Sequence, residues 1–161
     1  MATGNSLLEA LNQGISELYE HHVLNNFFIS EFSEYYALDL NSINDNKLLS
    51  IINSIKENNN QFFLLDLSYN FNMPVFCGII YNSYSQTIHC NFGAFPVAEI
   101  AIERVLTELY QNIYSFNITK PGFLKPFNKD AANKVVFDGG GKISGVNTFP
   151  EFIFERIKYV S

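Results

Sequence analysis

Tryptophan is absent from this sequence, and cysteine occurs only at Cys77 and Cys90. The two do not form a CxxC pair and sit in apolar, strand-like surroundings, so neither a zinc cluster nor a disulfide framework is indicated. They read as reduced thiols inside a core. Basic residues are also scarce: 10 Lys and Arg face 16 Asp and Glu, for a formal charge of -6. That balance argues against a nucleic-acid backbone or an anionic membrane as the main partner, since both select clustered cations. No apolar run approaches the roughly 20 residues that span a bilayer, and the amino terminus lacks a basic segment leading into an apolar one. The expected location is the cytoplasm. An acidic chain still suits a metal ion.

What the sequence has in quantity is aromatic and apolar residues. Sixteen Phe and nine Tyr, within a hydrophobic share of 47% over 161 residues, suffice for one domain with a sizeable core, and some of the aromatics would meet a neighbour outside this chain. Helical spacing runs from Ser6 to about Tyr35, with Asn5 or Ser6 as N-cap and a break expected near Asn25-Asn26. A second helix follows Asn44-Asp45 through Lys56. Strand-like runs at Gln61 to Leu67, Val75 to Tyr81 and Thr87 to Phe92 have short connections, which favour an antiparallel meander. Pro96 then precedes a helix from Val97 to about Tyr114. From Asn117 to Thr148 the pattern weakens into loop signals around Pro121, Pro126 and Gly139-Gly140-Gly141, and Pro150 to Val160 reads as a last helix. The fold class expected is α+β, with helices packed on a small, mainly antiparallel sheet.

On the first helix, Asn5, Glu9, Glu17 and Glu20 fall within an arc of roughly 120°, and Leu7, Leu8, Leu11, Ile15 and Leu18 occupy the other side. Periodicity thus predicts a buried leucine face and an outward carboxylate face. No Lys or Arg in the first twenty residues offsets the carboxylates. Either the face is simply solvated or something cationic sits on it, and magnesium, which takes carboxylate and phosphate oxygens together, is a natural candidate.

The stretch Gly4-Asn5-Ser6-Leu7-Leu8-Glu9-Ala10, continuing Gly14-Ile15-Ser16-Glu17-Leu18-Tyr19-Glu20-His21, resembles the nucleotide-binding motif of the YcaO family, G-N-x-x-x-E-A followed by G-L-x-E-x-x-E-R. The resemblance implies that Asn5, Glu9, Glu17 and Glu20 contribute to a site for ATP and Mg2+, with Glu9, Glu17 and Glu20 on the metal. His21 stands where the family usually has Arg, and can still offer a phosphate a hydrogen bond. A second stretch, Phe92-Gly93-Ala94-Phe95-Pro96 through Arg104 to Glu108 and Gln111, is similar to another family segment. There the resemblance gives Arg104 the role of holding phosphates, a job suited to a forked, permanently charged donor. Arg104 can alternatively pair with Glu108 four residues on, as ordinary helix surfaces do. Phe95 replaces a common family His.

Other signals are weaker. Gly139-Gly140-Gly141-Lys142 lacks the spacing of a phosphate loop, His89 sits in a strand-like run, and no residue is identified as a catalytic base.

The resemblance is clear over residues 2–127 and weaker over 128–161, so the whole chain reads as a single partial YcaO-type domain whose start reflects a natural truncation or an engineered boundary. It implies part of an ATP- and Mg-dependent enzyme that phosphorylates a peptide backbone amide, allowing azoline or thioamide formation. The implied partners are a ribosomally made peptide or protein substrate, a protein that presents it, and a second copy in a homodimer. The isolated chain is expected to be inactive. The alternative is a catalytically silent scaffold that binds peptide or dimerises.

Overall fold

The computed structural model describes residues 4–28, 34–57, 59–69, 72–82, 87–114, 122–125, 149–150 and 152–159. Helix α1 spans Leu7–Phe28, strand β1 Tyr35–Ala37, helix α2 Asn46–Lys56, β2 Asn60–Asp66, β3 Val75–Asn82, β4 Thr87–Ala94 and helix α3 Ala98–Tyr114. Beyond them lie β5 Gly122–Lys125, β6 Phe149–Pro150, the single turn α4 Phe152–Glu155 and β7 Ile157–Tyr159. The strands form one sheet in the order β6-β5-β4-β3-β2-β1-β7. The β1-β2-β3-β4-β5 pairings are antiparallel, and the two outer pairings, β1 with β7 and β5 with β6, are parallel.

Side chains alternate across this sheet and build two cores. On one face, Val23, Leu24 and Phe27 of α1 pack with Cys77, Ile79, Cys90 and Phe92. On the other, Leu48, Ile52 and Ile55 of α2 and Val105, Leu106 and Leu109 of α3 pack with Phe62, Leu64, Phe76 and Ile80. Covered on both sides, β3 is buried continuously from Val75 to Ile80. The two thiols lie in that interior, free and with Sγ atoms 3.4 Å apart.

Two glycines set the height of α3 above the sheet. A Cβ on Gly78 would lie 2.5 Å from Leu109 Cδ1, and one on Gly93 would lie 2.6 Å from the Ala101 carbonyl oxygen. Only residues without a side chain allow so close an approach. At α2, the Asp45 carboxylate accepts hydrogen bonds from the backbone N–H groups of Lys47 and Leu48, a standard N-cap.

Three sequence expectations are corrected. Helix α1 runs unbroken through Asn25-Asn26 and ends at Phe28, so Tyr35 belongs to a strand. There the Tyr35 hydroxyl donates back to the Phe27 carbonyl at 3.3 Å, and its ring meets Phe27 edge-on at 5.0 Å. The final segment is one helical turn followed by a strand, because the edge of β1 is open to pairing: the Tyr35 N–H donates to the Arg156 carbonyl at 3.0 Å. Short apolar runs fit either period, and a sheet edge decided this one. The Gly139-Gly140-Gly141-Lys142 run lies outside the described residues.

Candidate functional site

The site begins where α1 begins. Gly4 has no room for a side chain, since a Cβ there would stand 2.6 Å from the Ala10 backbone nitrogen. Ser6 caps the helix, its hydroxyl accepting from the Glu9 N–H at 3.2 Å, while the Glu9 carboxylate accepts from the Asn5 N–H at 2.8 Å. This reciprocal arrangement is the Ser-x-x-Glu capping box, shifted by one residue on the return bond. The side chains of Asn5, Glu9 and His21 are exposed.

The direction in which α1 faces is the reverse of the sequence expectation. Leu7, Leu8, Leu11, Ile15 and Leu18 point to solvent, with Leu7 79% and Leu18 72% exposed. Turned inward instead is one stripe at alternating spacings of three and four: Gln13, Ser16, Glu20, Val23 and Phe27. The helix has a single phase, and it is set where burial is greatest. Val23 and Phe27 are wholly buried, Phe27 stacking edge-on against Phe92 at 5.3 Å. Followed back toward the amino terminus, that stripe changes from apolar to polar, carrying Glu20 and Gln13 past the end of β4.

There they meet α3. Arg104 donates from Nη1 to the Ala94 carbonyl at 2.9 Å and from Nη2 to Gln13 Oε1, and its guanidinium lies over the Phe95 ring. Gln13 Nε2 in turn donates to Glu17 Oε1 at 3.1 Å. Arg104 is thus directed to Ala94 and Gln13 rather than along its own helix to Glu108. The missing counter-charge for the glutamates comes from a residue far along the chain, which no local count of Lys and Arg detects.

Glu20 is the most perturbed carboxylate of the cluster. Burial pushes its pKa from 4.5 up to about 7, against the opposing pull of Arg104 and of the Ala94 N–H, and the nearby negative charges of Glu108 and Glu17 push it further up. A buried carboxyl with a raised pKa beside two other carboxylates is short of positive charge. Among the described residues no three His, Cys, Asp or Glu side chains stand close enough to hold one metal ion. Helix geometry explains this: Glu17 and Glu20 are ~4.5 Å apart along the axis, whereas Glu9 and Glu20 are ~16 Å apart. The cluster suits an extended ligand with the cations it carries better than a lone ion.

Glu17, Glu20 and Arg104, which the resemblance assigned to one nucleotide site, lie near one another, and Gln13, which sequence reasoning missed, stands among them four residues before Glu17. It also left Glu108 without a place; its charge reaches Glu20. His89 is half-buried on β4, where burial lowers its pKa, and takes no part in the cluster. An open groove of about 410 Å³, lined by Asp39, Lys56, Phe62 and Tyr159 among others, contains none of the glutamates of α1.

The family model described as YcaO cyclodehydratase, ATP- and Mg2+-binding, matches residues 1–139. The chain belongs to the YcaO family. Two curated relatives are each 32% identical over 113 residues: an uncharacterized protein of Haemophilus influenzae, and the ribosomal protein S12 methylthiotransferase accessory factor YcaO of Escherichia coli. Each match takes in 69% of this chain and 19% of the relative, so the chain spans about a fifth of the length of these two relatives. Among solved structures, the heterocyclase TruD aligns with a TM-score of 0.66 at 29% identity, over 73% of this chain and 17% of TruD. A heterocyclase in complex with substrate and cofactor aligns with a TM-score of 0.59 at 31% identity, over 67% of this chain and 14% of that protein. The helices on a mainly antiparallel sheet are therefore a YcaO-type α+β fold. No helix among the described residues is long and apolar enough to cross a membrane.

Proposed function

We propose that this chain forms one wall of a YcaO site in which Mg-ATP phosphorylates a peptide backbone amide, preparing it for azoline or thioamide formation, and that the chain alone is inactive. The observation that carries this reading is the meeting of Glu17 and Glu20 of α1 with Arg104 of α3 at the end of β4. Hard oxygen donors for magnesium and a forked cation for phosphate lie side by side, which is what a metal-nucleotide complex needs from a protein.

The donor set fits that ligand. Glu17 and Glu20 are the residues that would hold magnesium near the phosphates, with Glu9 and Asn5 about two to four helical turns toward the amino terminus for the rest of the nucleotide. His21 is the residue that would stand in for the family arginine. When bound, the nucleotide supplies the phosphoryl group that turns the amide oxygen into a leaving group. The protein's part is positioning and charge: Arg104 stabilises negative charge on the phosphates, and Glu20, near its titration midpoint at neutral pH, becomes fully ionised when a cation arrives. The peptide to be modified, a protein that presents it, a second copy of this chain and a cytoplasmic setting complete the proposal.

Calorimetric titration with Mg-ATP tests it, with the Glu17→Gln, Glu20→Gln double variant alongside. Binding in the millimolar range or tighter that the variant loses is the expected result. No heat at millimolar nucleotide would leave the second reading, a catalytically silent scaffold that binds peptide or dimerises. The capping role of Glu9 favours that reading, since it already gives one carboxylate oxygen a structural partner.

A further inference from the structure

The polar contacts between α1 and α3 pass through a residue that the family motif does not include. Arg104 and Glu17 carry opposite charges and come from helices on opposite faces of the sheet, yet past the end of β4 they are joined through the neutral side chain of Gln13, whose Oε1 accepts from Arg104 and whose Nε2 donates to Glu17 at 3.1 Å. Chemistry fixes the amide's orientation: guanidinium offers only donors and carboxylate only acceptors. We infer that Gln13 is a positioning residue, a neutral spacer that holds Arg104 apart from the carboxylates of α1 and keeps both charges open to an anionic ligand with its cation.

The alternative arrangement is close at hand. Without the spacer, Arg104 would close directly onto Glu17 and Glu20, whose charges already act on one another across this gap. A direct, bidentate Arg-carboxylate pair is the stronger contact for the empty protein. It would also consume the two groups the ligand requires. Inserting an amide keeps the helices connected while leaving Glu17 with a second oxygen, and Arg104 with N–H donors beyond those given to Ala94 and Gln13, without a hydrogen-bond partner among the described residues. Phe95 supports the guanidinium from its face, where no hydrogen bond competes.

The inference rests on the nucleotide reading for the identity of the ligand, and the test separates the two. In the full chain with 15N-labelled arginine, the Arg104 guanidinium protons are observed in the wild type and in Gln13→Met, Gln13→Glu and the double variant Gln13→Met, Glu17→Gln. Gln13→Met should shift these protons downfield as carboxylate replaces amide, and adding Glu17→Gln should return them toward the wild-type position. Gln13→Glu should give the same downfield shift through its own carboxylate, and so serves if Gln13→Met does not fold. Unchanged Arg104 signals in folded variants would overturn the spacer. Separately, Mg-ATP affinity should fall about tenfold or more in both single variants, the loss of roughly one charge-assisted contact. Wild-type protein that binds no Mg-ATP would count against the nucleotide reading, while the guanidinium shifts, recorded without nucleotide, still decide the spacer.

Discussion

The guanidinium of Arg104 lies 5.4 Å from the centre of the Phe95 ring, directly after the residue whose carbonyl it also grips. Cation-π contacts of this kind are worth about 0.5–1 kcal/mol at exposed sites and more when desolvated. Replacing Phe95 with Leu keeps the bulk and removes the ring's negative face. Urea unfolding should show Phe95→Leu less stable by about 1 kcal/mol, and the deficit should disappear when Arg104 is already Gln.

The raised pKa of Glu20 has a sign that can be measured. Because its folded value, about 7, lies above the ordinary 4.5, the folded state holds this proton more tightly than the unfolded chain. Its contribution to stability is therefore complete below pH 4.5 and is lost as pH rises through 7, by an amount up to about 3 kcal/mol. Glu20→Gln should raise the melting temperature at pH 8 by several degrees and change it little at pH 4.5. Mg-ATP binding at pH 7 should release about half a proton, read by calorimetry in buffers of different ionisation enthalpy.

Gly93 couples packing to the site. A Cβ there meets the Ala101 backbone oxygen at 2.6 Å, a contact no side-chain rotation can relieve. Gly93→Ala should destabilise by about 1–3 kcal/mol, as overpacking does, and weaken Mg-ATP binding by tilting the helix that carries Arg104. The same substitution at Gly78 should cost stability with less effect on binding, because the clash is with the ends of Leu109 and Val105.

The two sides of α1 should respond oppositely to substitution. Leu8 and Leu18 are 69% and 72% exposed, so Leu8→Gln and Leu18→Gln should change stability by no more than about 0.5 kcal/mol. Phe27→Ala, at a fully buried ring, should cost about 3–5 kcal/mol. Chemical denaturation of the three variants distinguishes this orientation from the one that helical periodicity suggests.

That reversal shows where sequence reading stops. The meander of β2, β3 and β4 and both long helices were legible because alternation and the three-and-four spacing are local properties. Which side of α1 turns inward is not local: Val23 and Phe27 fix it by docking on Cys90 and Phe92, over sixty residues away, and the amino-terminal half must follow. Motif resemblance found Glu17, Glu20 and Arg104 without knowing the fold. It could not find Gln13, which matters only once the Arg104 side chain reaches α1 past the end of β4. Strand β7 was hidden for the same reason, since its partner, β1, is near the other end of the chain.

The capping box at Ser6 and Glu9 has one more consequence, for the speed and cost of filling the site. Held by the Asn5 N–H, the Glu9 carboxylate is already partly ordered, so recruiting it loses less conformational entropy than recruiting an untethered side chain. A ligand that claims the bonded oxygen must first release the helix start, giving up a cap worth about 1 kcal/mol. A ligand that uses the other oxygen leaves the cap intact. The first turn of α1 therefore acts as a filter on approach geometry, favouring partners that add to the helix end over those that compete with it.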